Sequence, residues 1–144
     1  MAGRINGRFG TTAVAPIHVI NRSLSQQEVA ALYKAADVML VTPMRDGMNL
    51  VAKEFVASRH NEDRVLVLSE FAGAAEELKE ALLVNPYDTE DMAAKIRQAL
   101  EIGKREQRSR MRALRTRVMS SDVGRWIESF LTSLEAAAAD RKLE

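Results

Sequence analysis

The sequence contains no cysteine, which excludes disulfides and thiolate metal sites. Its two histidines, His18 and His60, lie far apart in the chain, so no zinc-ligand cluster is legible. An excess of charge is missing too: 21 Lys and Arg face 20 Asp and Glu, for a net charge of +1. Such a balance gives no overall bias toward nucleic acid or an acidic partner. No apolar stretch reaches the length of a membrane span, and the N-terminus lacks the apolar core of a signal peptide. The expectation is a cytoplasmic protein with no metal, cofactor, membrane or nucleic-acid partner.

What is present is an ordinary globular composition. The 144 residues are 47% apolar and 28% charged, enough for one modest domain. Four apolar runs stand out: IHVI at 17–20, VMLV at 38–41, VLVL at 65–68 and LLV at 82–84. Each is continuous rather than alternating, as strands covered on both faces are. Segments with helical spacing lie between them. That order predicts an α/β fold, a parallel sheet with flanking helices.

The helix signals are specific. Ser25-Gln26-Gln27-Glu28 fits a capping box, with Leu24 and Val29 placed as a hydrophobic staple. Val29, Leu32, Tyr33 and Ala36 then mark one face. A later helix is expected from Asp88 or Thr89, with Met92, Ile96 and Leu100 as its buried stripe and Gly103 as its stop. Residues 104–117 are rich in arginine, yet Met111, Leu114 and Val118 keep helical spacing beneath the charge. Without interleaved aromatics this reads as a solvated helix rather than an RNA-binding one. Trp126, Ile127, Phe130, Leu131 and Leu134 mark a final helix, followed by four alanines at 136–139. The glycines and arginines of residues 1–12 read as a loop, and Met1-Ala2 as a start placed before a piece of a longer chain. His18, inside an apolar run, reads as packed.

Residues 42–54, TPMRDGMNLVAKE, carry the chemistry. Ligands of parallel sheets sit beyond the C-terminal ends of the strands, and this turn follows Val41. Gly47 suits a bend or a close approach to a ligand. The helix beginning near Asn49, Leu50 and Val51 presents free N–H groups and the positive end of its dipole, a place for phosphate. Asp46 would repel that phosphate, so sugar hydroxyls are its better partner. Val51, Ala52, Phe55 and Val56 form the buried face of the helix, with Glu54 on the flank, where a carboxylate meets the hydroxyls of a ribose. Hydroxyls, phosphate and ribose in line describe a nucleotide sugar. An Asp-Gly turn followed by a solvated glutamate is the plainer reading of the same residues.

DVMLVTPMRDGMNLVAKEFVASR, together with LVLSEFAGAAEEL, ALLVNPYD, GRINGRFG and DVGRWIESFLTSL, resembles the C-terminal domain of the trehalose-6-phosphate synthase family, most closely its actinobacterial members. The resemblance implies a retaining glycosyltransferase of the two-Rossmann (GT-B) type, moving glucose from a nucleoside-diphosphate glucose to glucose 6-phosphate. It makes residues 1–144 the C-terminal part of the nucleotide-sugar-binding Rossmann-like domain, without the N-terminal domain. By position it implies donor-sugar contacts at Asp46, Gly47, Met48 and Asn49, diphosphate contacts at Leu50 and Val51, and ribose contact at Glu54. Leu24 and Val29 fall near the nucleobase. It leaves UDP, GDP and ADP open as donor nucleotides.

The family's donor-phosphate arginine and lysine lie upstream of this stretch, and its glucose 6-phosphate pocket lies mostly in the N-terminal domain. The expectation is a donor-binding portion that is inactive alone. In a doubly wound order 3-2-1-4-5-6, residues 17–20 would form the third strand and the other runs the fourth to sixth. The open edge calls for the missing N-terminal part of the enzyme or a homo-oligomer partner. The alternative is a truncated, non-catalytic paralogue acting as an interaction or regulatory module.

Overall fold

The structure, a computed structural model, describes residues 1–120, Gly124, Ile127 and residues 130–134. The helices include α1 (Ala2–Phe9), α2 (Gln26–Ala35), α3 (Leu50–Ser58), α4 (Thr89–Glu101) and α5 (Lys104–Ser120), with a 3-10 turn at Gly73–Glu76. Among the described residues three strands, β1 (Val38–Val41), β2 (Val65–Ser69) and β3 (Leu82–Val84), form a parallel sheet in the order β1-β2-β3. The fold is the expected partial Rossmann-like α/β arrangement. Trp126 and the four alanines lie outside the described residues.

The continuous apolar run of β2 has the predicted cause, while Leu40 of β1 and Leu83 of β3, on the outer strands, are exposed. All five residues of β2 are buried, because both of its faces are covered. Leu66 and Leu68 face one core, with Ala52, Phe55 and Val56 of α3 and Met111 and Leu114 of α5. Val65 and Val67 face the other, with Leu82 and Val84 of β3 and Ala99 and Ile102 at the end of α4. Alternation therefore sorts β2's side chains between two apolar layers. Fully burying one such side chain contributes about 1.5–3 kcal/mol.

Two expected elements are absent or different. Residues 17–20 form no strand, and His18, Val19 and Ile20 are exposed. A strand needs a ladder partner for its N–H and C=O groups. Here the partner is a side chain: Asn6 donates to the carbonyl of Ile17 and accepts from its N–H, both at 2.8 Å. His18 is accordingly solvated, not packed. Residues 2–9, expected as loop, form α1. Two glycines each cost a helix about 1 kcal/mol relative to alanine, so local propensity hides it. The Asn6 clamp and the close seat of Gly10 against the carbonyl of Asn6 offset that cost.

Smaller differences concern faces. The capping box at Ser25 and Glu28 is formed as expected, but Leu32 is exposed. On α4, capped by Asp88, the buried position is Ala99 while Leu100 faces solvent. On α3, Val51 is exposed and the buried face is Ala52, Phe55 and Val56. Each displaced residue sits at a stripe's margin, where one helical step of 100° decides burial.

The arginines of α5 mostly hold the protein together. Arg115 donates to the carbonyls of Ala57 (2.6 Å) and Val56 (3.3 Å) at the end of α3. Arg110 reaches the carbonyl of Glu80, and Arg112 and Arg117 pair with Glu62 and Glu80. Arg59 does the same for α2. Almost fully buried, it donates to the carbonyls of Tyr33 (2.8 Å) and Lys34 (3.0 Å) and to Asp63 (2.6 Å). Cations at helix C-termini satisfy orphan carbonyls and oppose the dipole.

The Arg59 hydrogen bond holds the Asp63 carboxyl below its ordinary 3.8. The folded protein thus binds this proton less readily than the unfolded chain. The stabilisation is present above that value and lost as pH falls through the folded pKa. Thermal melts of Asp63→Asn should show a shallower loss of stability below about pH 4 than the unsubstituted chain. An identical acid limb in the two would contradict this role.

Candidate functional site

The turn after β1 does not hang free. Its backbone is tied to the loop after β2 by three bonds: Asp46 N–H to Phe71 C=O (3.2 Å), Gly73 N–H to Asp46 C=O (2.9 Å) and Ala74 N–H to Met48 C=O (2.7 Å). Asp46 and Ala72 form a parallel bridge, so pairing continues past the strands at the C-terminal edge of the sheet. The two loops approach so closely that a Cβ on Gly73 would overlap the carbonyl of Gly47. Gly73, rather than Gly47, is the glycine the geometry requires. Gly47 has ordinary φ and open space around it.

The Asp46 carboxylate organises the turn from within. One oxygen accepts from the Met48 N–H at 3.0 Å and the other from the Asn49 side-chain amide at 2.9 Å. The Met48 bond, then the Asn49 bond, hold its pKa below the ordinary 3.8, so it is an anion near neutrality. A carboxylate has about four lone-pair sites, which leaves acceptor capacity for hydroxyls after these two bonds.

Asn49 supplies the unusual backbone. At φ 75° it sits in the left-handed region, and as N-cap of α3 its side-chain oxygen accepts from the Ala52 N–H at 2.9 Å. Asparagine tolerates that region better than most residues. Its amide ties the two together, the oxygen accepting from the helix and the nitrogen donating to Asp46. The N–H groups of Leu50 and Val51 precede the first intrahelical bond, and Asn49 does not reach them. Both residues are exposed. Their amides are left without a side-chain cap, whereas Met48 has both backbone groups engaged.

Glu54, one turn further along α3, is exposed and accepts from the Tyr33 hydroxyl at 3.0 Å. Partial burial, then the hydrogen bond and charge of Glu54, push the Tyr33 pKa up to about 12. The phenol therefore stays a donor. The Tyr33 ring packs edge-on against Phe55, with centroids 6.3 Å apart. Val29 lies one turn before Tyr33 on α2, and Leu24 precedes the N-cap Ser25; both are half-buried.

The structure thus ties Asp46, Met48 and Asn49 into one hydrogen-bonded turn, with Gly47 within it and Leu50 and Val51 following at the start of α3. Glu54 joins it along α3, and Tyr33 ties Glu54 to the helix carrying Val29. Sequence reading missed Gly73 and Tyr33. Gly73 makes its contact across 26 residues of chain, with no local signature. Tyr33 could be placed on an apolar face, but its hydroxyl partner lies 21 residues away.

The profile of glycosyltransferase family 20 matches residues 1–136. The chain is 51% identical over 137 residues to the trehalose-6-phosphate synthase of Mycobacterium leprae, covering 95% of this chain and 28% of that protein. It superposes on the α,α-trehalose 6-phosphate synthase of Burkholderia multivorans with a TM-score of 0.87 at 45% identity, over 99% of this chain and 30% of that one. A UDP-forming α,α-trehalose-phosphate synthase of Burkholderia xenovorans, solved with glucose 6-phosphate, gives a TM-score of 0.86 at 44% identity, over 93% and 30% of the two chains. The chain therefore spans less than a third of the length of these relatives.

The geometry predicts an order among three substitutions. Asn49→Ala loses the cap and keeps the strained φ, and should cost about 1–2 kcal/mol in denaturant melts. Asn49→Gly relieves the strain and should cost less. Gly73→Ala forces the two loops apart and should cost about 1–3 kcal/mol, with a lowered midpoint. Equal stability of Asn49→Ala and Asn49→Gly would contradict the role of the left-handed backbone.

Proposed function

The chain belongs to glycosyltransferase family 20, and on that premise we propose that it is the donor-binding portion of a trehalose-6-phosphate synthase. The reaction is transfer of glucose from UDP-glucose to glucose 6-phosphate with retention at the anomeric carbon. UDP as the carrier follows from the UDP-forming relative, and the acceptor from the ligand of that same relative. The observation that carries the reading is the start of α3. At the ligand edge of the sheet, the open amides of Leu50 and Val51 stand between the Asp46 carboxylate and the Glu54 carboxylate.

The roles follow from the chemistry of each group. The two amides and the helix dipole hold the diphosphate, at the end of a helix where an anion gains about 0.3–1 kcal/mol or more. Asp46, fixed by Met48 and Asn49, offers its remaining lone pairs to hydroxyls of glucose. Gly47 and Met48 line that side, and their small or flexible character lets a sugar ring approach. Glu54 accepts from the ribose. Leu24 and Val29, at the start of α2, flank the base. No metal or cofactor enters this scheme.

Binding is not turnover. Departure of the diphosphate needs cationic groups, and each such group contributes on the order of a few kcal/mol to the transition state. On α3, Lys53 is committed to both oxygens of Glu77 at 2.9 Å, and in the turn Arg45 is exposed. The family resemblance assigns the donor-phosphate cations to the upstream region. The chain alone is therefore expected to bind the donor without transferring glucose. The single-sided pairing of β1, which bonds to β2 alone among the described residues, is where further strands would add.

Calorimetry of the chain with UDP-glucose, UDP and uridine tests the reading. UDP-glucose and UDP should bind at least about ten-fold more tightly than uridine, the share owed to the diphosphate. Addition of glucose 6-phosphate should yield no trehalose 6-phosphate. Equal affinity for uridine and UDP would remove the diphosphate role, and product formation would refute the division between binding and turnover.

A further inference from the structure

We infer that Tyr33 is a positioning residue for nucleotide recognition: its hydroxyl orients the Glu54 carboxylate toward the ribose and couples that carboxylate to the base side of the site. The inference rests on the reading of Glu54 as the ribose acceptor.

Glu54 is exposed on α3, where an unrestrained glutamate samples several rotamers and presents its oxygens in many directions. Ordering it on binding would cost affinity. The Tyr33 hydroxyl takes one oxygen, Oε2, at 3.0 Å, which restrains the side chain to rotamers that keep that contact. Oε1 and the remaining lone pair on Oε2 are left to accept from two neighbouring hydroxyls.

Tyr33 can do this because it is itself held at both ends. Its ring packs against Phe55 of α3 and the adjoining core. Its carbonyl accepts from the buried guanidinium of Arg59 at 2.8 Å. Arg59 lies just beyond the end of α3, so α2 is clamped to α3 twice, once through a side chain and once through a backbone carbonyl. A shift of α2 toward or away from a base would move the Tyr33 hydroxyl with it. The coupling thus runs from Leu24 and Val29, through Tyr33, to Glu54.

Discrimination between UDP and 2′-deoxy-UDP, measured by calorimetry on the chain, tests this. A site built to bond a hydroxyl rejects the analogue that lacks it. The unsubstituted chain should favour UDP by about five-fold or more, and Glu54→Gln should lose most of that preference. Tyr33→Phe, which keeps the ring, should lose a comparable share while its circular dichroism stays unchanged. If Tyr33→Phe weakens both nucleotides equally and keeps their ratio, its role is structural and the positioning inference fails alone. If the unsubstituted chain shows no preference, or Glu54→Gln retains it, the ribose reading fails and the inference falls with it.

Discussion

The close passage of the loop after β2 beneath the turn after β1 is the constraint on which the site depends. Gly73 lies so near the carbonyl of Gly47 that no side chain fits between them. Three backbone bonds then sew the loops together from Asp46 to Met48. The remainder follows in order. The fixed turn places the Asp46 carboxylate, which holds the amide of Asn49. That amide caps α3, with the backbone of Asn49 at φ 75°. Strain of this kind persists only where its surroundings over-determine it. Here it aims the start of α3 toward the ligand edge of the sheet.

The core makes that placement rigid. Helix α3 is pinned to the sheet by Ala52, Phe55 and Val56, all fully buried. Its last carbonyls are held by Arg115 from α5, and those of α2 by Arg59. The arginine-rich helix, which in the sequence invites an electrostatic reading, thus spends several guanidinium groups on helix ends and carboxylates. A turn mounted on such a frame needs little reorganisation to receive a ligand.

Much of this was legible in the sequence, and the reasons are local. The runs at 38–41, 65–68 and 82–84 are short, apolar and continuous, so their strand character shows without a structure, although only β2 is buried on both faces and Leu40 and Leu83 are exposed. The capping box at Ser25 and the Asp88 cap are four-residue signals that fold as written. What was not legible depends on distant partners. Residues 17–20 have strand composition but no ladder, because the Asn6 side chain occupies the backbone of Ile17 instead. Residues 2–9 carry glycines that hide a helix stabilised from outside. Within the site, RDGMN and Glu54 stood out by type and spacing. Tyr33 and Gly73 act across the fold, and no local pattern distinguishes them from an ordinary core tyrosine and an ordinary loop glycine.

The central claim is that the start of α3 receives a diphosphate. Amide chemical shifts of the 15N-labelled chain during titration with UDP-glucose report on it residue by residue. The account predicts the largest shifts at the amides of Leu50 and Val51, with Ala52, already bonded to Asn49, moving less. Shifts concentrated on another face, with Leu50 and Val51 unmoved at saturation, would contradict it.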